Sequence, residues 1–390
     1  MPRGIYLDNS MTTRPSMHAV SKMMPFFSDM WGTPSAPHLG GQEILPYITE
    51  SYKAIYSLLG AREIDDFVFT SSGAEAINQV ILSSYFDATV PSGKNQYITS
   101  QVDEAPSIMA IGRLEQLGCV GKMVHPDKNG QVTAKILSEA ISPRTAMISL
   151  SWANGLTGII NPVSDIAKLC QERGILFHLD ATHVLGKLYF DLEEVGAHFV
   201  SFNGDQLHAP KGTGGLYIKA GTKCSPLILG GIEQGGLRAG SYNVPGLIAL
   251  GHAAKEAVES RDLLCAEVAR LRDKLEMSIV ANYPEAVPFY SDQERLPHCT
   301  TIAFPGITNE ALLYALNRKG LYASIGGGSF QQLGLILAGA GVSEILAHTA
   351  ISFSLSRETQ EEEIVKAVDI IVDAAKRLRR ISTAFDFKKK

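Results

Sequence analysis

The residues most able to do chemistry lie in a few short stretches, each at the edge of an apolar run. Thr70-Ser-Ser-Gly-Ala-Glu75 follows Phe67-Val-Phe69 and reads as a strand-to-helix turn, whose backbone N–H groups and helix dipole favour an anion. Ile175-Leu-Phe-His-Leu-Asp180 ends on a carboxylate, with His183 just beyond it. Ser201-Phe-Asn-Gly-Asp-Gln-Leu-His208 offers the Asn203 amide, the Asp205 carboxylate and the Gln206 amide, and Lys211 follows in Pro210-Lys-Gly212. A Gln amide nitrogen has no lone pair free to attack a carbonyl, so position 206 cannot supply a covalent anchor. The acidic pair Glu104 and Asp205 would favour a cation. Asn154, in Ser151-Trp-Ala-Asn-Gly-Leu-Thr-Gly158, and Arg357, in Phe353-Ser-Leu-Ser-Arg357, complete the polar candidates. Each has a plainer use: Asp180 as a helix cap, Asn154 as an Asx-turn residue, Arg357 as half of a surface ion pair.

The elements that must position these groups alternate along the first two thirds of the chain. Phe67–Ser71, Gln96–Ser100, Thr145–Ser151, Ile175–Asp180 and His198–Phe202 read as short buried strands, with helical patterns between them such as Val163 to Arg173 and one opening at Gly73-Ala-Glu-Ala76. Strands separated by crossover helices predict an α/β fold, a large domain with a mostly parallel sheet covered by helices. After Tyr242-Asn-Val-Pro245 the pattern changes to a long helix from Ala249 to about Ile279. Strand-like Thr300–Phe304 and Ile351–Leu355, a tight turn at Gly326–Gly328 and a last helix from about Thr359 then outline a smaller α+β C-terminal domain.

A chain of 390 residues is too long for one compact core. Its 45% apolar and 19% charged residues are those of a soluble globular protein, and a net charge of −5 gives no reason to expect nucleic acid or an anionic membrane as partner. Met1-Pro-Arg-Gly-Ile-Tyr-Leu-Asp8 has no apolar signal core, and no apolar run approaches the ~18 residues of a membrane span. Cys119, Cys170, Cys224, Cys265 and Cys299 are scattered without CxxC spacing, which reads as reduced thiols in a cytoplasmic protein rather than a disulfide framework or a metal site.

Taken together, Tyr6–Thr13, Trp31–His38, Ser151–Gly158, Phe177–Lys187, Ser201–Gly215 and Gly235–Ser241 resemble the NifS/IscS-like cysteine desulfurases over nearly the whole chain. These are pyridoxal-phosphate (PLP) enzymes of the class V aminotransferase group. The resemblance implies PLP fold type I: residues 1–15 packing with the small domain, 16–260 forming the large domain and 261–390 the small one. It implies a homodimer, because the loop Gly235–Ser241 matches the one that reaches into the partner subunit's site. It places Asp180 opposite the cofactor's ring nitrogen, Asn154 by its phenolic oxygen, and Arg357 at the substrate carboxylate. It places Ser72, Gly73, Ala74, His183, Asn203, Asp205 and Ser241 around the ring and phosphate.

Set against the same family, the chain departs from the pattern at each chemical role. Gln206 stands for the Schiff-base lysine, Glu104 for the His that stacks on the ring, and Asp205 for a His that bonds the phosphate. A carboxylate ~4 Å from a phosphate costs on the order of 4 kcal/mol at an effective dielectric of ~20. Ala74 replaces a hydroxyl residue, His183 a Gln and Asn203 a Ser, while Ser329 falls where the mobile-loop Cys would carry the persulfide. Lys211 matches the family's second lysine, too far along the loop to replace the first. Changes at Glu104, Asp205, Gln206 and Ser329 together resemble drift rather than a single engineered knock-out. The expectation is a non-canonical or catalytically inactive paralogue acting in sulfur transfer or iron–sulfur assembly, with an iron–sulfur scaffold or sulfur-acceptor protein as partner and PLP absent or weakly, non-covalently bound. The alternatives are an active PLP-dependent desulfurase, lyase or aminotransferase with relocated catalytic groups, and a binding protein that reuses the pocket for a small cation.

Overall fold

The computed structural model describes residues 4–327 and 331–386. Its strands are β1 (Ile5–Tyr6), β2 (Asp66–Thr70), β3 (Gln96–Ser100), β4 (Val120–Val124), β5 (Thr145–Ser151), β6 (Leu176–Asp180), β7 (Phe199–Asn203) and β8 (Gly214–Ile218), followed by β9 (Val287–Phe289), β10 (Cys299–Ala303), β11 (Leu321–Tyr322), β12 (Gly326–Gly327), β13 (Gln331–Gln332) and β14 (Ala350–Ser354). The large sheet runs β2-β8-β7-β6-β5-β3-β4. Strands β3 to β7 pair in parallel, and only β8 is reversed, antiparallel to both β2 and β7. Every residue of β3, β5 and β8 is buried, as expected of strands covered by helices on both faces.

The parallel arrangement delivers the C-terminal ends of β2, β3, β5, β6 and β7 to one edge of the sheet, the place where open α/β sheets bind ligands. Asp180 and Asn203 end β6 and β7 at this edge, and the loops that leave it carry Ser72, Glu104 and Asn154. The helix Gly73–Ser84 starts there with a reciprocal cap: Ser72 Oγ accepts from Glu75 N at 3.2 Å, and Glu75 Oε2 accepts from Ser71 N at 2.8 Å. Its first turn lies so close to β8 that a Cβ on Gly214 would stand 2.5 Å from the Ser72 carbonyl carbon. Only glycine permits that approach.

The small domain has its own core. β14-β10-β9 form an antiparallel sheet, and β1 pairs in parallel with β11 across the sequence. Leu7 joins Phe304, Ile351, Phe353 and Ile371 in that core. The N-terminal segment is therefore tied to the small domain before it crosses to the large one. There, Thr13 N and Oγ1 donate to the Asp205 carbonyl at 3.0 and 2.6 Å, and Ser16 N donates to the His208 carbonyl at 2.8 Å.

The sequence pattern and the structure differ at two places. The single helix expected from Ala249 to about Ile279 is instead a helix Val244–Glu259 and a helix Ala269–Asn282, joined through Ser260 and a π-turn Leu264–Val268. One extra residue per turn rotates the apolar face without interrupting it, so the periodicity carries no sign of the break. At the expected tight turn, Gly326 does take φ 83°. It opens a short antiparallel pairing of Gly326–Gly327 with Gln331–Gln332, and Gly328 lies outside the described residues.

Candidate functional site

A cavity of about 210 Å³ opens at the C-terminal edge of the large sheet. Its polar wall carries Glu104, Asn154, Asp180, His183, Asn203 and Gln206, and its apolar wall includes Val102, Leu156 and Ile336. Ser72, Gly73 and Ala74 close one end with the start of their helix. Among the described residues that line it there is no Lys and no Arg.

Each polar group is held from behind. Asp103 is fully buried and accepts from Thr99 Oγ1 at 2.8 Å, Ser100 N at 2.8 Å and Ser151 N at 2.7 Å, locking the ends of β3 and β5 together beside Glu104. Burial holds the Asp103 carboxyl above its ordinary range despite these bonds. Asp180 accepts from Thr182 N at 3.0 Å and Thr182 Oγ1 at 2.6 Å. Burial first, and then the Glu104 charge, pushes Asp180 up to about 6. His183 Nε2 stands 3.5 Å from Glu104 Oε1, while its buried Nδ1 has no hydrogen-bond partner. A Cβ on Gly155 would come within 2.4 Å of that imidazole, so glycine is what lets the ring lie against the loop.

Other groups are spent on the scaffold. Asn154 Oδ1 accepts from Leu156 N at 3.0 Å and Thr157 N at 2.9 Å, and its Nδ2 donates to Val102 O at 3.1 Å. This is the Asx-turn role, exercised from the cavity wall. Asn203 Oδ1 accepts from Gly73 N at 3.2 Å, so a side chain already uses a donor of the anion-favouring turn. Gln206 Nε2 donates to Ser10 O at 2.9 Å, and its Oε1 accepts from Lys187 Nζ at 3.4 Å.

A family model, "Aminotransferase class-V", matches residues 5–366. The chain is 36% identical to a cysteine desulfurase of Bradyrhizobium diazoefficiens, covering 97% of this chain and 96% of that one. It is 35% identical to the cysteine desulfurase NifS of Azotobacter vinelandii, covering 97% and 94% respectively. A solved NifS-like protein superposes with a TM-score of 0.89 at 28% identity, over 96% of this chain and all of that one. The chain belongs to the class V aminotransferase family. Within it the chain is cysteine-desulfurase-like, and the parallel sheet with its flanking helices is the PLP fold type I expected from the sequence.

The family's cofactor is PLP, and the residues of this cavity do not fit it as a covalently held group. Gln206 supplies no amine, Glu104 brings a carboxylate to the wall, Gly73 N is already bonded to Asn203, and among the described lining residues there is no Lys or Arg. Several expected positions also lie elsewhere. Asp205 does not line the cavity: its Oδ2 accepts from Thr12 Oγ1 at 2.8 Å, because the N-terminal strap passes over that side of the loop. The acidic pair that forms is therefore Glu104 with Asp180, not Glu104 with Asp205. Arg357 turns away to pair with Glu256 and to donate to Ser260 Oγ at 3.3 Å. Ser241, on the loop expected to reach the partner subunit's site, is exposed and does not line this chain's own cavity, and Arg238 of the same loop pairs with Glu75 at 3.0 Å. Lys211 donates to Thr12 Oγ1 at 2.8 Å, also off the cavity. Ser329 lies outside the described residues.

Two residues that the sequence pattern did not single out matter here. Asp103 positions the loop of Glu104, and an acidic residue three positions past a strand end is a signal for such a turn. Lys187 is nine-tenths buried in a second, smaller cavity of about 20 Å³ behind Gln206, with His298 and Arg357 among its neighbours. Nothing in its local sequence marks it, since burial of a lysine is decided by what folds over it.

Proposed function

We propose that this chain is a non-catalytic member of the cysteine-desulfurase-like group, one that holds no covalent PLP and serves sulfur transfer or iron–sulfur assembly as a homodimer. The observation that carries this reading is the anchoring of Gln206. Both ends of its amide are bonded within the protein, it occupies the cavity wall, and no amine lines the cavity beside it. The thiols support the same reading. All five cysteines are free, none lines the cavity, and burial raises Cys170 to about 12 and Cys224 and Cys299 to about 11, far from thiolate reactivity. Free thiols suit a reducing compartment, and we place the protein in the cytoplasm; no described helix is long and apolar enough to cross a membrane.

The test is the absorbance of the purified protein with and without added PLP, followed by borohydride and an assay for sulfide released from cysteine. The expected result is a colourless protein with no band at about 420 nm and no sulfide. A band that borohydride fixes to the protein would overturn the reading. One observation favours a second reading, in which the catalytic groups have moved: Lys187 Nζ lies 3.4 Å from Gln206 Oε1, one side chain away from the cavity. Peptide mapping of a borohydride-fixed adduct to Lys187 would establish that alternative.

The homodimer reading is supported by exposed apolar side chains in two segments of the large domain. Trp31, Leu39, Leu229 and Ile232 are 76 to 91% exposed. A second copy is the occupant that the family's assembly implies, and sedimentation should give twice the chain mass of 42.1 kDa. Monomer mass at micromolar concentration would refute it. Partner proteins in sulfur transfer are to be sought by pull-down of the dimer with an iron–sulfur scaffold or a sulfur-acceptor protein.

A further inference from the structure

The amine of Lys187 has no role in the non-catalytic reading. It is 6% exposed and lines the small cavity behind Gln206 together with His208, His298 and Arg357, and no Asp or Glu is among the described lining residues there. Gln206, itself 2% exposed, is the one described residue that lines both this cavity and the larger one at the sheet edge. Its Oε1 accepts from Lys187 Nζ at the long distance of 3.4 Å, and its Nε2 is tied to Ser10 O at 2.9 Å. An ammonium carries three donors, so one long bond leaves it poorly satisfied. Burial lowers Lys187 from 10.5 to about 8, with the Asp205 and Cys299 charges opposing. At neutral pH that leaves on the order of 300-fold more free amine than an ordinary lysine offers.

We propose that Lys187 is a gated amine site for a small uncharged aldehyde, which enters by the sheet-edge cavity and reaches the amine when the Gln206 side chain swings aside. The proposal rests on the reading that no PLP fills that cavity, and goes beyond it by naming a different carbonyl compound. The Gln206 side chain turns about single bonds, and its two hydrogen bonds are what hold the gate closed. The volumes set the size of the guest. About 210 Å³ in front suits a few heavy atoms, and about 20 Å³ behind admits no more than a water. The aldehyde's chain therefore stays in front, against Leu156 and Ile336, and only its carbonyl carbon meets Nζ. A charged aldehyde is disfavoured, because passing so buried a partition would strip its hydration. In the step, the neutral Nζ gives its lone pair to the carbonyl carbon and the C=O π pair moves to oxygen. Both amine protons leave nitrogen, and the oxygen departs with them as water. A C=N bond replaces the C=O bond, and nothing is oxidised or reduced.

The experiment uses full-length protein, first checked for absorbance with and without borohydride. It is then treated with propanal and cyanoborohydride from about pH 6 to about pH 10, and the labelled lysines are mapped by peptide mass. Propyl label at Lys187 is expected, its rate relative to exposed lysines breaking near pH 8. Gln206→Ala removes the gate and should raise the Lys187 rate about tenfold or more. Gln206→Glu keeps the shape of the side chain but sets a carboxylate against the ammonium, and should slow labelling about tenfold or more at neutral pH. A clear spectrum with no label at Lys187 would overturn this inference alone. So would a Lys187 pH profile like that of exposed lysines, or a rate that neither variant moves. A borohydride-fixed PLP band, visible before any aldehyde is added, would instead overturn the proposed function on which it rests.

Discussion

The two cavities on either side of Gln206 contrast in size and in charge. The front one, at the strand ends, is about 210 Å³ and lined by Glu104 and Asp180 with no Lys or Arg. The rear one is about 20 Å³, room for a single water, and gathers Lys187, His298 and Arg357. The groups that would serve an anionic ligand are thus present in the protein but on the wrong side of one amide. His298 shows the cost of that crowding: both ring nitrogens are buried without a partner, and burial with the neighbouring Lys187 drives its pKa well below the ordinary value. The lesson is that a pocket's ligand is set by which side chain forms the partition, not by the inventory of charged residues nearby.

The largest change should come from altering the partition and the front wall together. Gln206→Lys alone should gain little PLP, because Glu104 would still face the ring and Asn203 would still occupy Gly73 N. Gln206→Lys with Glu104→His should give a coloured protein with PLP fixed by borohydride. Adding Asp205→His should contribute little, since Asp205 faces Thr12 rather than the cavity. Strong PLP attachment by the single variant, read by absorbance and mass, would show that the front wall is less hostile than its charges imply.

A smaller effect, on stability, should come from the rear cavity. Burial lowers Lys187 from 10.5 to about 8. Between those values the unfolded chain holds a proton that the native protein has released, so this lysine makes stability rise with pH across that window. The total is about 3 kcal/mol for a shift of this size. Buried thiols pull the other way, because Cys170, Cys224 and Cys299 are raised in the native state. The lysine's part is therefore the difference between wild type and Lys187→Met, measured by denaturant unfolding at neutral pH and near pH 10. Lys187→Met should be the more stable of the two at neutral pH and lose that advantage in alkali. An advantage independent of pH would mean that the ammonium is not what the rear cavity strains to hold.

The smallest effect concerns the end of the front cavity. Ser72→Ala removes the cap of the helix Gly73–Ser84 and should cost about 1 kcal/mol by thermal or denaturant unfolding. Unchanged stability in that variant would mean that the Glu75 carboxylate, which accepts from Ser71 N, holds this helix start by itself.

Much of this was legible before any coordinates. Alternating apolar runs and helical patterns announced the parallel sheet, and the resemblance to the desulfurases picked out Asp180, Asn154, Asn203 and Glu104, which line one cavity at the C-terminal strand ends. The helix break at Ser260 was not legible, since a π-turn keeps the apolar face continuous. Nor was the direction of Asp205, which adjoins Gln206, or of Arg357: a side chain's aim depends on the segment folded against it, here the strap at Thr12 and the helix bearing Glu256.

By itself the sequence determined what position 206 cannot do, because the chemistry of an amide nitrogen does not depend on its surroundings. It likewise determined the order of strands and helices, through periodicities set by backbone geometry. Only the tertiary structure decided that Lys187 is sealed behind Gln206, that Glu104 meets Asp180, and that Arg357 is lost to Glu256. Those are contacts between segments distant in the chain, and electrostatic interaction depends on separation in space and on burial, neither of which is written in residue order.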